Sequence, residues 1–108
     1  MATENGRQDM RDGVVVNCVY LIECGGFVKI GVTWDLNFRL RYLQLSNPLP
    51  LHVLGVIQFR ENRLRAFQYE GILHRRFDSD RIHGEWFVFG APILEFLLRR
   101  GLLLRVSP

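Results

Sequence analysis

Lysine is almost absent from this sequence: Lys29 is the only one, set against 13 arginines in 108 residues. Cysteine is nearly as scarce. Cys18 and Cys24 lie six apart in one short segment, too few for a disulfide scaffold or a four-ligand zinc site, so both are expected as reduced strand residues. No run of 18 or more apolar residues occurs, which argues against a membrane-spanning helix. The opening MATENGRQDM has no apolar core of the kind a secretory signal needs, and a cytoplasmic protein is expected. There is no Walker loop or dinucleotide fingerprint, and no Ser-His-Asp or Cys-His arrangement with supporting context. A chain of this length makes one domain. It buries only about two thirds of its unfolded surface, so a shallow site is expected rather than a deep pocket.

What the chain does have is positive charge. The net charge is +3 and the pI about 9.3. Residues 1–13 carry two arginines against Glu4, Asp9 and Asp12, which leaves twelve basic and eight acidic residues beyond them, a net of +4. The arginine bias has a compositional explanation, a GC-rich genome. It also suits phosphate, because the guanidinium fork matches phosphate oxygens. The balance is a mild signal for nucleic acid.

Residues 1–13 are polar and without periodicity, and a disordered leader is expected there, followed by one globular domain over 14–108. Val14 to Glu23 and Phe27 to Thr33 are rich in β-branched and aromatic residues, with Cys24-Gly25-Gly26 between them. A Gly-Gly pair between two such runs predicts a two-residue hairpin turn. Asp35 suits a helix N-cap, with Leu36, Leu40 and Leu43 at helical spacing behind it; Asn47-Pro48 and Pro50 end that helix. Leu51 to Phe59 reads as a third strand, Glu61 to Phe77 as a second helix, and Glu85 to Phe89 as a short strand. Pro92 suits the first turn of a last helix that stops near Gly101. The order β-β-α-β-α-β-α makes an α/β domain on a small, mostly antiparallel sheet.

Three places in this frame hold candidate chemistry. In the hairpin, the Gly-Gly turn pairs Cys24 with Phe27, Ile22 with Lys29 and Tyr20 with Gly31. Alternation then puts all six side chains on one face, with Tyr20 and Lys29 as diagonal neighbours about 5–8 Å apart. Gly31 leaves room for the Tyr20 ring and for a backbone approach. The plainer reading makes Lys29 a snorkelling edge residue and Tyr20 core filler. On the first helix, Arg39 shares a stripe with Leu36, Leu40 and Leu43, so it needs a carboxylate partner or an anion. On the second helix, Glu70 and His74 share a stripe with Leu73 and Phe77. A carboxylate there is solvated, ion-paired (with Arg39, for instance) or bound to metal, and Mg²⁺ commonly takes one or two protein carboxylates. A zinc set of Glu70, His74, His83 and Glu85 fits no common motif. His83-Gly84-Glu85-Trp86-Phe87 sets two aromatics beside a carboxylate, as core or as a base-stacking surface. Arg60, Arg63, Arg65, Arg75, Arg76 and Arg81 gather around the second helix, either as a solvated face or as a phosphate-binding flank.

The stretch VYLIECGGFVKIGVTWDLNFRLRYLQ, then EGILHRRF, then GEWFVF, resembles one branch of the GIY-YIG nuclease superfamily, found largely in phage and bacterial proteins. Five pieces recur in order between Val19 and about Phe89: a Val-Tyr strand, a Lys-Ile-Gly-x-Thr strand, a helix arginine, a Glu-x-x-Leu-His helix and a Gly-Glu-Trp-Phe strand. The resemblance implies a central three-stranded antiparallel sheet flanked by helices, and metal-dependent cleavage of phosphodiester bonds. By position, Tyr20 matches the tyrosine of the first motif. Lys29 stands where the second motif usually has its tyrosine, and Gly31 matches the motif glycine. Arg39 matches the helix arginine, Glu70 the metal-binding glutamate and His74 the histidine of this branch. The first motif reads Val-Tyr-Leu rather than Gly-Ile-Tyr, and the asparagine that many members carry after the metal glutamate has no clear counterpart.

These readings combine into one expectation: a DNA endonuclease using a single Mg²⁺ or Mn²⁺. Tyr20 activates the attacking water with Lys29 nearby to stabilise a phenolate-like state. Arg39 holds the scissile phosphate, and Glu70 holds the metal. Gly31, Arg41, Arg75, Arg76 and Trp86 are candidate substrate-binding residues. The competing classes are a nucleic-acid-binding module that does not cut, and a protein-interaction domain. For the latter, the apolar run Ile93 to Leu98 with Leu102 to Leu104 offers a homodimer face.

Overall fold

The computed structural model describes residues 17–60 and 62–102. The leader expected at 1–13 and the end of the apolar tail, Leu103 and Leu104, lie outside them. The elements run β1 (Cys18–Cys24), β2 (Phe27–Thr33), α1 (Leu36–Leu45), β3 (His52–Gln58), α2 (Arg63–Arg76), a 3₁₀ turn (Asp78–Asp80), β4 (Arg81–His83), β5 (Trp86–Val88) and α3 (Ala91–Arg99). They form a small α/β domain on one antiparallel sheet in the order β3-β1-β2-β5-β4. The three strands that the resemblance implied correspond to β3-β1-β2, which lie side by side with β3 at one edge, and the strand expected at Glu85 to Phe89 is β5. The sheet has five strands rather than three because β5 adds to the free edge of β2 and the short β4 folds back on β5.

The hairpin has the expected register, with Tyr20 opposite Gly31, Ile22 opposite Lys29 and Cys24 opposite Phe27. Its cause is local. Gly25 and Gly26 sit at φ +60° and +90°, the positive pair that a primed two-residue turn requires and that other residues resist. Asp35 caps α1 by accepting from the Phe38 N–H at 3.0 Å. Asn62 does the same for α2, accepting from Arg65 N–H at 3.0 Å; each satisfies a backbone donor that the helix itself leaves free.

Alternation splits the hairpin between two environments. Val19, Leu21, Val28 and Ile30 join Phe87 of β5, Ala66, Leu73 and Phe77 from the α2 segment, and Ile93, Phe96 and Leu97 of α3 in the buried core. The apolar face of α3 is therefore spent on the core, leaving Leu94 and Leu98 as its exposed apolar positions. The other face carries Tyr20, Ile22, Cys24 and Lys29. Half-buried Leu36, Leu40 and Leu43 of α1 and the loop behind them lie over it, where the Cys24 thiol meets Asn47 Oδ1 and the Leu49 carbonyl at 3.8 Å each. Both cysteines are free and buried. Burial pushes the Cys18 thiol up to about 11, so it is inert at neutral pH. Among the described residues no helix is long and apolar enough to cross a membrane.

Candidate functional site

The site lies where β2 outruns β5. Their pairing covers Phe27 to Lys29 and closes with the Ile30 N–H donating to the Glu85 carbonyl at 2.9 Å. The Ile30 carbonyl on that same residue accepts from Nε2 of His74 at 2.9 Å. A ring nitrogen facing a carbonyl must carry its proton, so His74 Nε2 is a donor here. With its ring also edge-on to Phe87 at 5.2 Å, His74 pins α2 to the end of the sheet. One turn earlier on α2, this places Glu70, whose Oε2 is 3.9 Å from His74 Nε2. In this structure His74 is a positioning residue for Glu70.

Gly31 is buried, and its missing side chain is what brings the groups together. A Cβ there would fall 2.6 Å from Cζ of Tyr20 and 2.9 Å from Oε1 of Glu85. The Tyr20 ring and the Glu85 carboxylate therefore share the notch above this glycine, which leaves no room there for a substrate to approach the backbone. Glu85 Oε1 also lies 3.2 Å from Nζ of Lys29, and Lys29 Nζ stands 5.5 Å above the Trp86 ring, an ion pair and a cation–π contact on one ammonium.

The electrostatics differ from the sequence-based expectation at Tyr20. The side chain is fully buried and its hydroxyl has no hydrogen-bond partner. Burial pushes the phenol up to about 12; the Arg39 guanidinium opposes that shift, while Glu85 and Glu70 add to it. The cation acting on the phenol is thus Arg39 rather than Lys29, which is engaged with Glu85. A phenol so far above neutrality keeps its proton at pH 7, so Tyr20 is a hydrogen-bond donor in this state and not a base.

Glu70 is shifted too. Burial first, then the charge and hydrogen bond of Glu85, push its carboxyl up to about 7, with Lys29 pulling the other way. Glu70 therefore gives up its proton less readily than a free carboxyl, the neighbouring Glu85 charge opposing its ionisation. Among the described residues Arg39 and Glu70 form no ion pair. Also among them, no group of three or more His, Cys, Asp or Glu is placed to hold a metal, so the zinc set has no support. The residues present do fit a hard divalent ion such as Mg²⁺ or Mn²⁺. Two carboxylates meet beside an unpartnered hydroxyl, and such an ion takes one or two carboxylates and completes its shell with water.

The remaining candidates are more scattered. Arg41 and Arg75 are exposed. Arg76 is packed over Phe77 and Phe96, at 5.7 and 5.3 Å from their rings. Arg81 is tied to Asp78 at 3.1 Å and to the Gly84 carbonyl at 2.7 Å. Trp86 does lie at the site, and beyond it a cavity of about 530 Å³ opens between Cys24, Phe27, Leu43, Asn47 and His83. Sequence reasoning missed two features. Glu85 was weighed only in a zinc set and as a carboxylate beside two aromatics, and not as a partner of Lys29 or Glu70. The second is a ridge of Trp34, Phe38 and Tyr42, 52%, 57% and 61% exposed, with Phe38 and Tyr42 stacked at 6.3 Å. Their spacing of four was the available signal.

Fold and site together define a small α/β domain on a five-stranded antiparallel sheet, with a pair of carboxyl groups at the end of β2. The chain belongs to the T5orf172 domain family, whose profile matches residues 17–99, a span that contains every element and every site residue described above. No curated protein and no solved structure matches the chain.

Proposed function

We propose that this chain is a metal-dependent endonuclease acting on DNA, with Glu70 holding one Mg²⁺ or Mn²⁺. The observation that carries the reading is the convergence at Gly31. Tyr20, Lys29, Glu70 and Glu85, from four different segments, meet there with Arg39 close by. Membership of a family associated with nucleic acid supports the same reading.

The residues divide the work as follows. Arg39 neutralises charge on the scissile phosphate. Lys29 is a second cation on the same face, standing over the Trp86 ring. Tyr20 donates its hydroxyl proton in a hydrogen bond that orients the attacking water or a phosphate oxygen. A divalent ion held by Glu70 would supply Lewis-acid polarisation and charge stabilisation at the phosphodiester. Trp86 and the cavity beside it receive the flanking nucleotide, with stacking worth about 1–3 kcal/mol per base.

A panel of labelled single- and double-stranded oligonucleotides, incubated with Mg²⁺, Mn²⁺ or EDTA, tests this. Metal-dependent products are expected. Arg39→Ala should lower the single-turnover rate about 10²–10³-fold, the usual cost of losing one electrostatic stabiliser. Full rate in Lys29→Met would remove Lys29 from the reaction. Salt-sensitive binding without any metal-dependent product would favour a binding module instead; the protonated, orphaned Tyr20 is the observation on that side.

The cavity makes a separate prediction. Trp86→Ala should weaken oligonucleotide binding about 5–100-fold, the equivalent of losing one stacked base. Fluorescence anisotropy at fixed salt measures it. An unchanged Kd would place the nucleic acid elsewhere, and the Trp34–Phe38–Tyr42 ridge would be the next surface to substitute.

A further inference from the structure

The Glu85 carboxylate has two neighbours that make opposite demands on it. Lys29 Nζ holds its Oε1 at 3.2 Å, while the Glu70 carboxyl is within hydrogen-bonding reach of it. The backbone of Glu85 is not free to drift, because its carbonyl closes the β2–β5 pairing through the Ile30 N–H at 2.9 Å. Its side chain, by contrast, is well short of full burial, with 39% of its surface exposed. A carboxylate on a fixed backbone with a part-exposed head has room to change partners.

A second observation points to a ligand at the same spot. The Tyr20 hydroxyl is completely buried and meets no partner in hydrogen-bonding geometry, the Arg39 guanidinium lying near it without a well-formed bond, and it crowds the same notch over Gly31 as Glu85 Oε1. A buried hydroxyl without a partner costs about 1–3 kcal/mol. An oxygen carried by an ion's hydration shell would satisfy it.

We propose that Glu85 is the second protein carboxylate of a divalent-cation seat shared with Glu70, and that cation binding draws Glu85 away from Lys29. This rests on the cation-dependent reading above and adds to it a residue and a consequence. In the cation-free protein the Lys29 ammonium occupies the seat's second carboxylate. When the ion arrives, Lys29 is released toward the phosphate side of the site. The cation and the substrate-facing ammonium are thus coupled through one side chain.

The test is Mn²⁺ affinity at pH 8, followed by electron paramagnetic resonance on the full chain, with circular dichroism to confirm folding. Glu85→Gln and Glu70→Gln should each weaken Mn²⁺ about 10–100-fold, the range seen when partners of a metal site are lost. Lys29→Met should act in the opposite direction and tighten Mn²⁺ several-fold, because the competing ammonium is gone. A Glu85 that served only as a structural partner of Lys29 would behave differently. Glu85→Gln would then leave Mn²⁺ affinity unchanged while Glu70→Gln weakened it, and that result overturns the proposal. Mn²⁺ weakened equally by Lys29→Met and Glu85→Gln would overturn it as well. Cleavage is scored separately: Glu85-dependent Mn²⁺ binding without products from any oligonucleotide keeps the seat and removes the nuclease reading.

Discussion

Glu70→Gln is expected to abolish metal-dependent cleavage and, in the same protein, to raise the stability of the metal-free fold above pH 7. The loss of rate follows from removing the carboxylate that would hold the ion; a drop of about 10³-fold corresponds to losing several kcal/mol of charge stabilisation. The gain in stability follows from the carboxyl's position. Its side chain is 14% exposed, and burial with the Glu85 charge raises it from 4.5 to about 7. Below pH 4.5 it is protonated in both folded and unfolded chains and contributes no pH dependence. Between 4.5 and 7 the unfolded chain releases the proton while the folded one retains it, so stability falls as pH rises. Above 7 the whole penalty is present, on the order of 1–3 kcal/mol for a shift of this kind.

Melting temperatures in EDTA at pH 5 and pH 8 measure this. The wild type should lose stability between them more steeply than Glu70→Gln, and Mg²⁺ at pH 8 should restore the wild type alone. A wild type and a variant that fall in parallel would mean that Glu70 is not strained in the folded protein. Cleavage by the wild type should correspondingly rise with pH through about 7, because the ionised pair is the form that accepts a cation.

The second large effect is expected at Gly31→Ala. Gly31 is not at a positive φ, so the backbone would tolerate alanine; the obstruction is steric. The added methyl would sit 2.6 Å from Tyr20 Cζ and 2.9 Å from Glu85 Oε1. Tyr20 cannot retreat, because it is fully buried between β2 and β3. Overpacking of this kind costs about 1–3 kcal/mol and sometimes more. The Glu85 carboxylate should be pushed from its place in the notch with it, so activity should fall further than stability. Tyr20→Phe removes the orphaned hydroxyl and should itself be neutral or slightly stabilising. The double variant Tyr20→Phe/Gly31→Ala should recover part of the lost stability and none of the activity. Thermal denaturation of the two single variants and the double variant gives the coupling energy. Strict additivity would mean that ring and methyl do not meet.

The site residues differed in how far the sequence revealed them. Tyr20, Lys29 and Gly31 were readable as one constellation because a Gly-Gly turn sets the pairing of the strands it joins, and pairing with a two-residue period sets which side chains share a face. Arg39 and Glu70 were readable as polar interruptions of apolar helix stripes, and the family pattern gave them an order. Their partners were not readable. Arg39 turned out to act on Tyr20, and Glu70 to meet Glu85 instead of Arg39. His74 shared the Glu70 stripe, yet nothing local showed that its Nε2 would be used on the Ile30 carbonyl. Arg76 read as one of a phosphate flank, and its packing over the rings of Phe77 and Phe96 was not readable, since that contact depends on α3 bringing Phe96 beside it.

The sequence by itself determined the hairpin register, the Asp35-capped helix, the α/β class and the face that Tyr20 and Lys29 share. All of these depend on backbone preferences and periodicities acting over a few residues. Only the tertiary structure decided that β5 would extend the free edge of β2, and with that pairing came Glu85, delivered to a strand more than fifty residues earlier in the chain. Only the tertiary structure decided, too, that Tyr20 would be dry and Glu70 half-protonated near neutrality. Desolvation and carboxylate repulsion depend on which atoms surround a group in space, and no stretch of sequence contains that information alone.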